Sequence, residues 1–267
     1  MNKATYGGDV AGRGQSWSIW GNCPSNEIME DHSVGRFIDD DFLGFNGLVT
    51  TNVGKYTGGW QSYETTGASI VPLADATHGR NGLIRIGCTG ADNYLAQMVS
   101  QGNVGTCARI DTSANGGTKL WLETRVRPLA ITGGSWFFGF HTTAAGNGEI
   151  ITASEAMYTT AVNFVGFWNT VGAALQAVYA TGAAVTVNTA TAKTMVAGTW
   201  YKLGMSYDPD IGFKWFVDGV QVGTTVAASA TNFPDALDLA IAYAITTSVG
   251  LTTVALDADW VKLVQLI

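Results

Sequence analysis

The chain has 267 residues, a formal net charge of −7 and 46% hydrophobic residues. An acidic balance with no basic stripe argues against a nucleic-acid partner, and no run of eighteen apolar residues could cross a membrane as a helix. The opening MNKATYGGDVAGRGQ lacks the apolar core of a secretion signal, so the expectation is a protein made in a cytosol.

The 34 glycines, with few prolines and abundant threonine and valine, favour many strands and tight turns over helices. A chain of this length buries about three quarters of its unfolded surface and needs no disulfide or metal to fold. Cys23, Cys88 and Cys107 form an odd set without metal-like spacing and read as reduced thiols, with a Cys88–Cys107 bridge left open.

Residues 1–36 mix Gly7, Gly8, Gly12, Gly14 and Gly21 with Trp17, Ile19, Trp20 and Met29, and show no clear period. An ordinary disordered tail is poor in such aromatics. The expectation is an ordered arm that either packs on its own domain or docks on a neighbouring subunit. A second unit, residues 37–267, begins at Phe37-Ile38-Asp39-Asp40-Asp41-Phe42-Leu43. Strands are expected at 83–88, 94–99, 119–127, 135–141, 161–168, 174–179, 183–187, 237–245 and 253–266, the recurrence of a sandwich or barrel. In the strand at 119–127, Leu120, Leu122 and Val126 share one face, and Glu123, Arg125 and Arg127 share a face expected to be wet.

The clearest element runs from Thr199 to Thr225. Tyr201, Leu203, Met205 and Tyr207 alternate with polar or small residues, Asp208-Pro209-Asp210-Ile211-Gly212 makes a turn, and Asp218-Gly219 is a type I′ hairpin loop. That turn pairs Val217 with Val220 and Trp215 with Val222 on a side expected to be core. Phe216 falls on the other side, where a solvent-exposed face does not explain it. Between Pro128 and Trp200 only Glu149, Glu155 and Lys193 are charged, which suits a surface buried against other subunits.

Catalytic groupings fail on spacing. Glu27 and Glu30, three apart, would leave opposite faces of a strand, whereas β-sandwich glucanases project their acids from one face. Asp39/Asp41, Asp208/Asp210 and Asp257/Asp259 do have alternate spacing. The Asp208 pair reads as turn chemistry, and Asp257 and Asp259 could bind a cation or accept from Arg or Tyr on a neighbouring strand. A hard cation would want six to eight oxygens. His32, His78 and His141 show no ligand spacing, so no catalytic, cofactor or metal residues are expected. Among the tryptophans, Trp60, Trp136 and Trp168 are the candidate sugar-stacking platforms, against the alternative that they are core.

The stretch TWYKLGMSYDPDIGFKWFVDGVQVG resembles the late strands of laminin-G and concanavalin A-like jelly rolls. LDADWVKLVQ looks like their last strand and FIDDDFLGF like their first; with HGRNGLIRIGCTG and LWLETRVRPL between, the resemblance spans about residues 37–267. It implies an all-β, two-sheet antiparallel jelly-roll sandwich preceded by an irregular arm. The arrangement is similar to structural proteins of tailed-bacteriophage virions. That implies a non-enzymatic capsid decoration or cement protein, located in the virion and made in the host cytoplasm. Its partners would be the major capsid protein, other virion subunits and further copies of itself. A carbohydrate-binding module of a head or tail fibre is the alternative, and a polysaccharide-cleaving enzyme the third reading. The acidic motif of the glucanase branch is missing, and no cofactor is implied.

Overall fold

Asp218 and Gly219 both hold positive φ, 52° and 77°, as a type I′ turn requires, and they set Val217 opposite Val220 and Trp215 opposite Val222. Around this hairpin the computed structural model describes residues 14–42, 55–57, 59–65, 67–75, 80–89, 94–100, 106–142, 150–152, 156–157, 162–182, 185–247 and 253–267. In chain order these form α1 (Trp17–Trp20), α2 (Ser25–Glu30), β1 (Gly35–Asp40), β2 (Lys55–Thr57), β3 (Trp60–Glu64), β4 (Ala68–Asp75), β5 (Arg80–Thr89), β6 (Leu95–Ser100) and β7 (Ala108–Ile110). They continue with β8 (Leu120–Pro128), β9 (Gly134–His141), β10 (Asn163–Asn169), β11 (Ala174–Thr181), β12 (Thr186–Thr194), β13 (Tyr201–Asp208), β14 (Gly212–Val217), β15 (Val220–Val226), β16 (Leu237–Thr247) and β17 (Thr253–Leu266).

Two antiparallel sheets result. The first runs β15-β14-β13-β8-β17-β5-β4, with β1 on the far half of β17; the second runs β12-β11-β10-β9-β16-β6-β3-β2, with β7 on the start of β16. Period-two alternation sends one set of side chains from each sheet into the common core. Leu120, Leu122 and Val126 of β8 meet Phe138, Phe140, Ile241 and Tyr243 there. Thr124, in the same row, is satisfied by Tyr243 Oη at 2.7 Å and the Trp260 carbonyl at 2.7 Å. Trp215 Nε1 crosses the core to donate to the Gly166 carbonyl.

Both outer faces are partly covered, and this changes several expectations. On the first sheet, residues 14–34 lie over β8, β13, β14 and β17, where Ile19, Trp20 and Ile28 pack on Trp121, Phe216 and Val264. The described part of the expected arm therefore packs on its own sandwich; residues 1–13 lie outside the described residues. This cover explains Phe216. It also corrects the wet face of β8, since Glu123 is fully buried and Arg125 nearly so. Gly204 makes room for the docking, because a Cβ there would meet Ile19 Cδ1, and the Ile19 side chain would have to shift.

On the second sheet, Ile150, Ile151, Met157 and Val162 cover Val99, Phe137, Phe164 and the alanines of β16. Every position of β9 and most of β10 and β11 are buried. The scarcity of charge between 128 and 200 thus has a cause within the chain: these strands are covered on both sides. Among the described strands of that stretch β12 is the one that stays largely exposed, as an edge strand at 186–194 rather than the expected 183–187. Val220 also departs from expectation: it is 68% exposed, because β15 is the edge of its sheet. Cys23, Cys88 and Cys107 are free thiols.

Candidate functional site

The sheet register puts one row of side chains across the outer face of the second sheet: Tyr63, Gln97, Ala244, Phe137, Trp168 and Gln176, from β3, β6, β16, β9, β10 and β11. The next outward row is small at its centre, with Ala242, Gly139 and Gly166 side by side. The Phe137 ring lies over both glycines, and a Cβ at either would meet it. The covering segment then closes over the middle of the row, where Ile150 N–H donates to Gln97 Oε1 at 3.1 Å. What stays accessible are the two flanks, Tyr63 on one side and Trp168 with Gln176 on the other.

Trp168 and Gln176 are direct cross-strand neighbours, both half-buried. Trp168 Nε1 and Gln176 Oε1 are each shielded by the protein and have no hydrogen-bond partner among the described residues. Such groups normally find a partner. A donor and an acceptor set side by side against an indole face suit a hydroxyl-bearing ligand: the hydroxyl both accepts and donates, and C–H groups pack on the ring.

The other expected platforms are core residues. Trp60 packs on Phe42 and Tyr243 and donates to Asp40 Oδ2 at 2.6 Å, and Trp136 is buried between the sheets. His141 shares the outer face with Phe137 and Phe164 and stacks on the Phe164 ring. Its complete burial pulls its pKa down to about 3, so it is neutral at physiological pH and no proton donor. His32 is exposed, and His78 lies outside the described residues.

The acidic candidates are occupied structurally. Glu27 and Glu30 lie on α2, a helix rather than a strand, and both are exposed. Asp208 accepts Asp210 N–H at 3.1 Å, the expected turn chemistry, and pairs with Lys119 at 2.8 Å. Asp39 pairs with Lys262 at 2.9 Å, while Asp41 is exposed. Asp257 is fully buried and accepts from Arg85 Nε at 2.7 Å and Arg127 Nη2 at 2.7 Å; Asp259 accepts from Arg125 Nη1 at 2.7 Å. Trp200 covers the Arg125 and Arg127 guanidiniums at 4.3 and 4.7 Å. Of the two readings of this pair, the structure supports acceptance from neighbouring arginines.

No family model matches the sequence, and no curated protein does. Solved structures do match. A protein of unknown function from Shewanella oneidensis MR-1 aligns over 91% of this chain and 94% of its own, with TM-score 0.58 at 14% identity. The carbohydrate recognition domain of Emp47p aligns over 87% and 97%, with TM-score 0.53 at 15% identity. A glycoside hydrolase family 16 endo-glucanase from Bacteroides ovatus aligns over 85% and 99%, with TM-score 0.50 at 13% identity. With the two-sheet topology above, these likenesses establish that the chain is a concanavalin A-like jelly-roll sandwich of the kind lectins and family 16 hydrolases share.

Proposed function

We propose that this protein is a non-catalytic carbohydrate-binding module that holds a neutral glycan on the outer face of its second sheet, with Trp168 as the stacking platform. The observation that carries the reading is the Trp168–Gln176 pair, a half-buried indole whose Nε1 donor and the neighbouring Oε1 acceptor have no hydrogen-bond partner among the described residues. Carbohydrate recognition by proteins of the same fold supports it. The non-catalytic part rests on the same face. Hydrolysis of a glycosidic bond needs two carboxyl groups roughly 5–10 Å apart across the sugar, yet the described rows through Phe137 and Gly139 carry none. The finer reading that the resemblance implies, a subunit of a phage particle, is proposed with it; what supports a subunit contact is the exposed edge strand β12.

A glycan array with the purified chain tests the reading. The expected result is a set of neutral oligosaccharide hits that Trp168→Ala loses at least tenfold while its circular dichroism is unchanged. An array without hits, or hits that survive Trp168→Ala, would overturn it.

A further inference from the structure

A second site lies on the opposite sheet. Where α1 crosses the first sheet it leaves a cleft of about 320 Å³ whose lining includes Trp17, Trp121 and Phe216 together with Lys119, Asp208 and Lys214. The volume is at the low end of small-molecule sites, about 300–1,000 Å³, and suits one or two sugar rings. Its walls follow from the register: Lys214, Ser206 and Trp121 form one outward row across β14, β13 and β8. Trp17 stands at the mouth, 65% exposed, an unusual position for the largest apolar side chain when Ile19 and Trp20 beside it are buried.

The charges are arranged selectively. Lys119 is paired with Asp208 at 2.8 Å, whereas no carboxylate lies within 4 Å of Lys214 Nζ among the described residues. Burial works to raise the Asp208 pKa, but the Lys119 hydrogen bond, the Asp210 N–H and the charges of Lys119 and Lys214 hold it low. The carboxylate is therefore ionised and committed to Lys119. The cleft is left with one surplus positive charge in a chain whose net charge is −7. An aromatic wall, the hydroxyl of Ser206, the amide of Asn22 and one uncommitted ammonium are complementary to a sugar ring bearing a carboxylate.

We infer that this cleft binds an acidic saccharide, a uronate unit whose ring stacks on Trp17 and whose carboxylate pairs with Lys214. The inference is independent of the Trp168 site, since the two lie on opposite sheets. Isothermal titration of the full chain with trimers of galacturonate, glucuronate and mannuronate tests it, at 20 and 300 mM salt. At least one trimer is expected to bind saturably, more weakly at high salt, with affinity reduced at least tenfold by Trp17→Ala and by Lys214→Gln. Trp168→Ala is expected to leave this binding unchanged. Both cleft side chains are accessible, so the variants should melt with the wild type. Binding by none of the trimers overturns the inference. So does binding unaffected by Lys214→Gln, or equal affinity for a neutral glucose trimer at the same cleft.

Discussion

Trp20→Ala separates a segment that belongs to the fold from one that serves a neighbour. Trp20 is 8% exposed, packs with Ile19 and Ile28 on Trp121, Phe216 and Val264, and donates from Nε1 to Glu123 Oε2 at 2.7 Å. Truncating a buried Trp costs about 3–5 kcal/mol. Loss of one of the two donors to a buried carboxylate adds about 1–3 kcal/mol, partly offset if Glu123 then takes up a proton. The sum is at least ~3 kcal/mol, and at roughly 2–4 °C per kcal/mol for a domain of this size the melting temperature should fall by about 6–12 °C or more. Trp17→Ala, on the same helix but exposed, should stay within about 0.5 kcal/mol of wild type. The assay is urea and thermal unfolding of the isolated monomer, followed by near-ultraviolet circular dichroism. If the two variants unfold alike, both close to wild type, residues 14–34 do not stabilise their own sandwich and the packing argument fails.

Other consequences can be measured with the same material. Burial raises the Glu123 pKa above its ordinary 4.5, against the opposing hydrogen bonds of Ser16 and Trp20, so the folded state holds that proton more tightly than the unfolded state. Wild-type stability relative to Glu123→Gln should therefore fall as pH rises from about 4.5 through the raised value and then level off; a flat difference across denaturant titrations from pH 4.5 to 8 would contradict this. Asp257→Asn leaves Arg85 and Arg127 without their shared carboxylate and should cost about 2–3 kcal/mol, discounted because both arginines reach solvent. Added Arg85→Ala should then cost little more in a double-mutant cycle. Gly204→Ala should loosen α1 by clashing with Ile19, seen as faster amide exchange at residues 17–21. Burial pushes the Cys88 thiol to about 12, so native protein should react slowly with a thiol reagent at pH 8 and all three cysteines promptly once unfolded.

What the sequence disclosed divides by the range of the interaction. Asp218-Gly219 settles its own turn type, and Leu120, Leu122 and Val126 settle the inward face of β8, because period and turn chemistry are local. The opposite face of β8 could not be read the same way. Glu123 looks solvent-facing until Ser16 N–H and Trp20 Nε1, 107 and 103 residues away, arrive to bond it. β3 is not legible from period, because Trp60-Gln61-Ser62-Tyr63-Glu64 has no alternation of polarity, its polar side chains being buried on both faces. Strand parity does not apply to Glu27 and Glu30, because α2 is a helix of six residues whose single buried side chain, Ile28, gives almost no period. At the sugar site, Trp168 could be singled out as an aromatic, but not told from Trp60 and Trp136, which turn inward by strand parity. Gln176 had no signal at all, since its significance comes from the β10–β11 register that sets it beside Trp168.

The most direct test of the central claim follows the indole N–H of Trp168 by ¹H–¹⁵N NMR while a neutral oligosaccharide that binds the chain is added. The resonance is assigned from its absence in Trp168→Phe. Because Nε1 has no hydrogen-bond partner among the described residues, its hydrogen should gain one from a sugar hydroxyl. The account requires a saturable downfield shift of that resonance, with the indoles of Trp60 and Trp136 still. Saturable binding that leaves Trp168 unmoved would contradict it, as would the failure of every neutral oligosaccharide tried to bind.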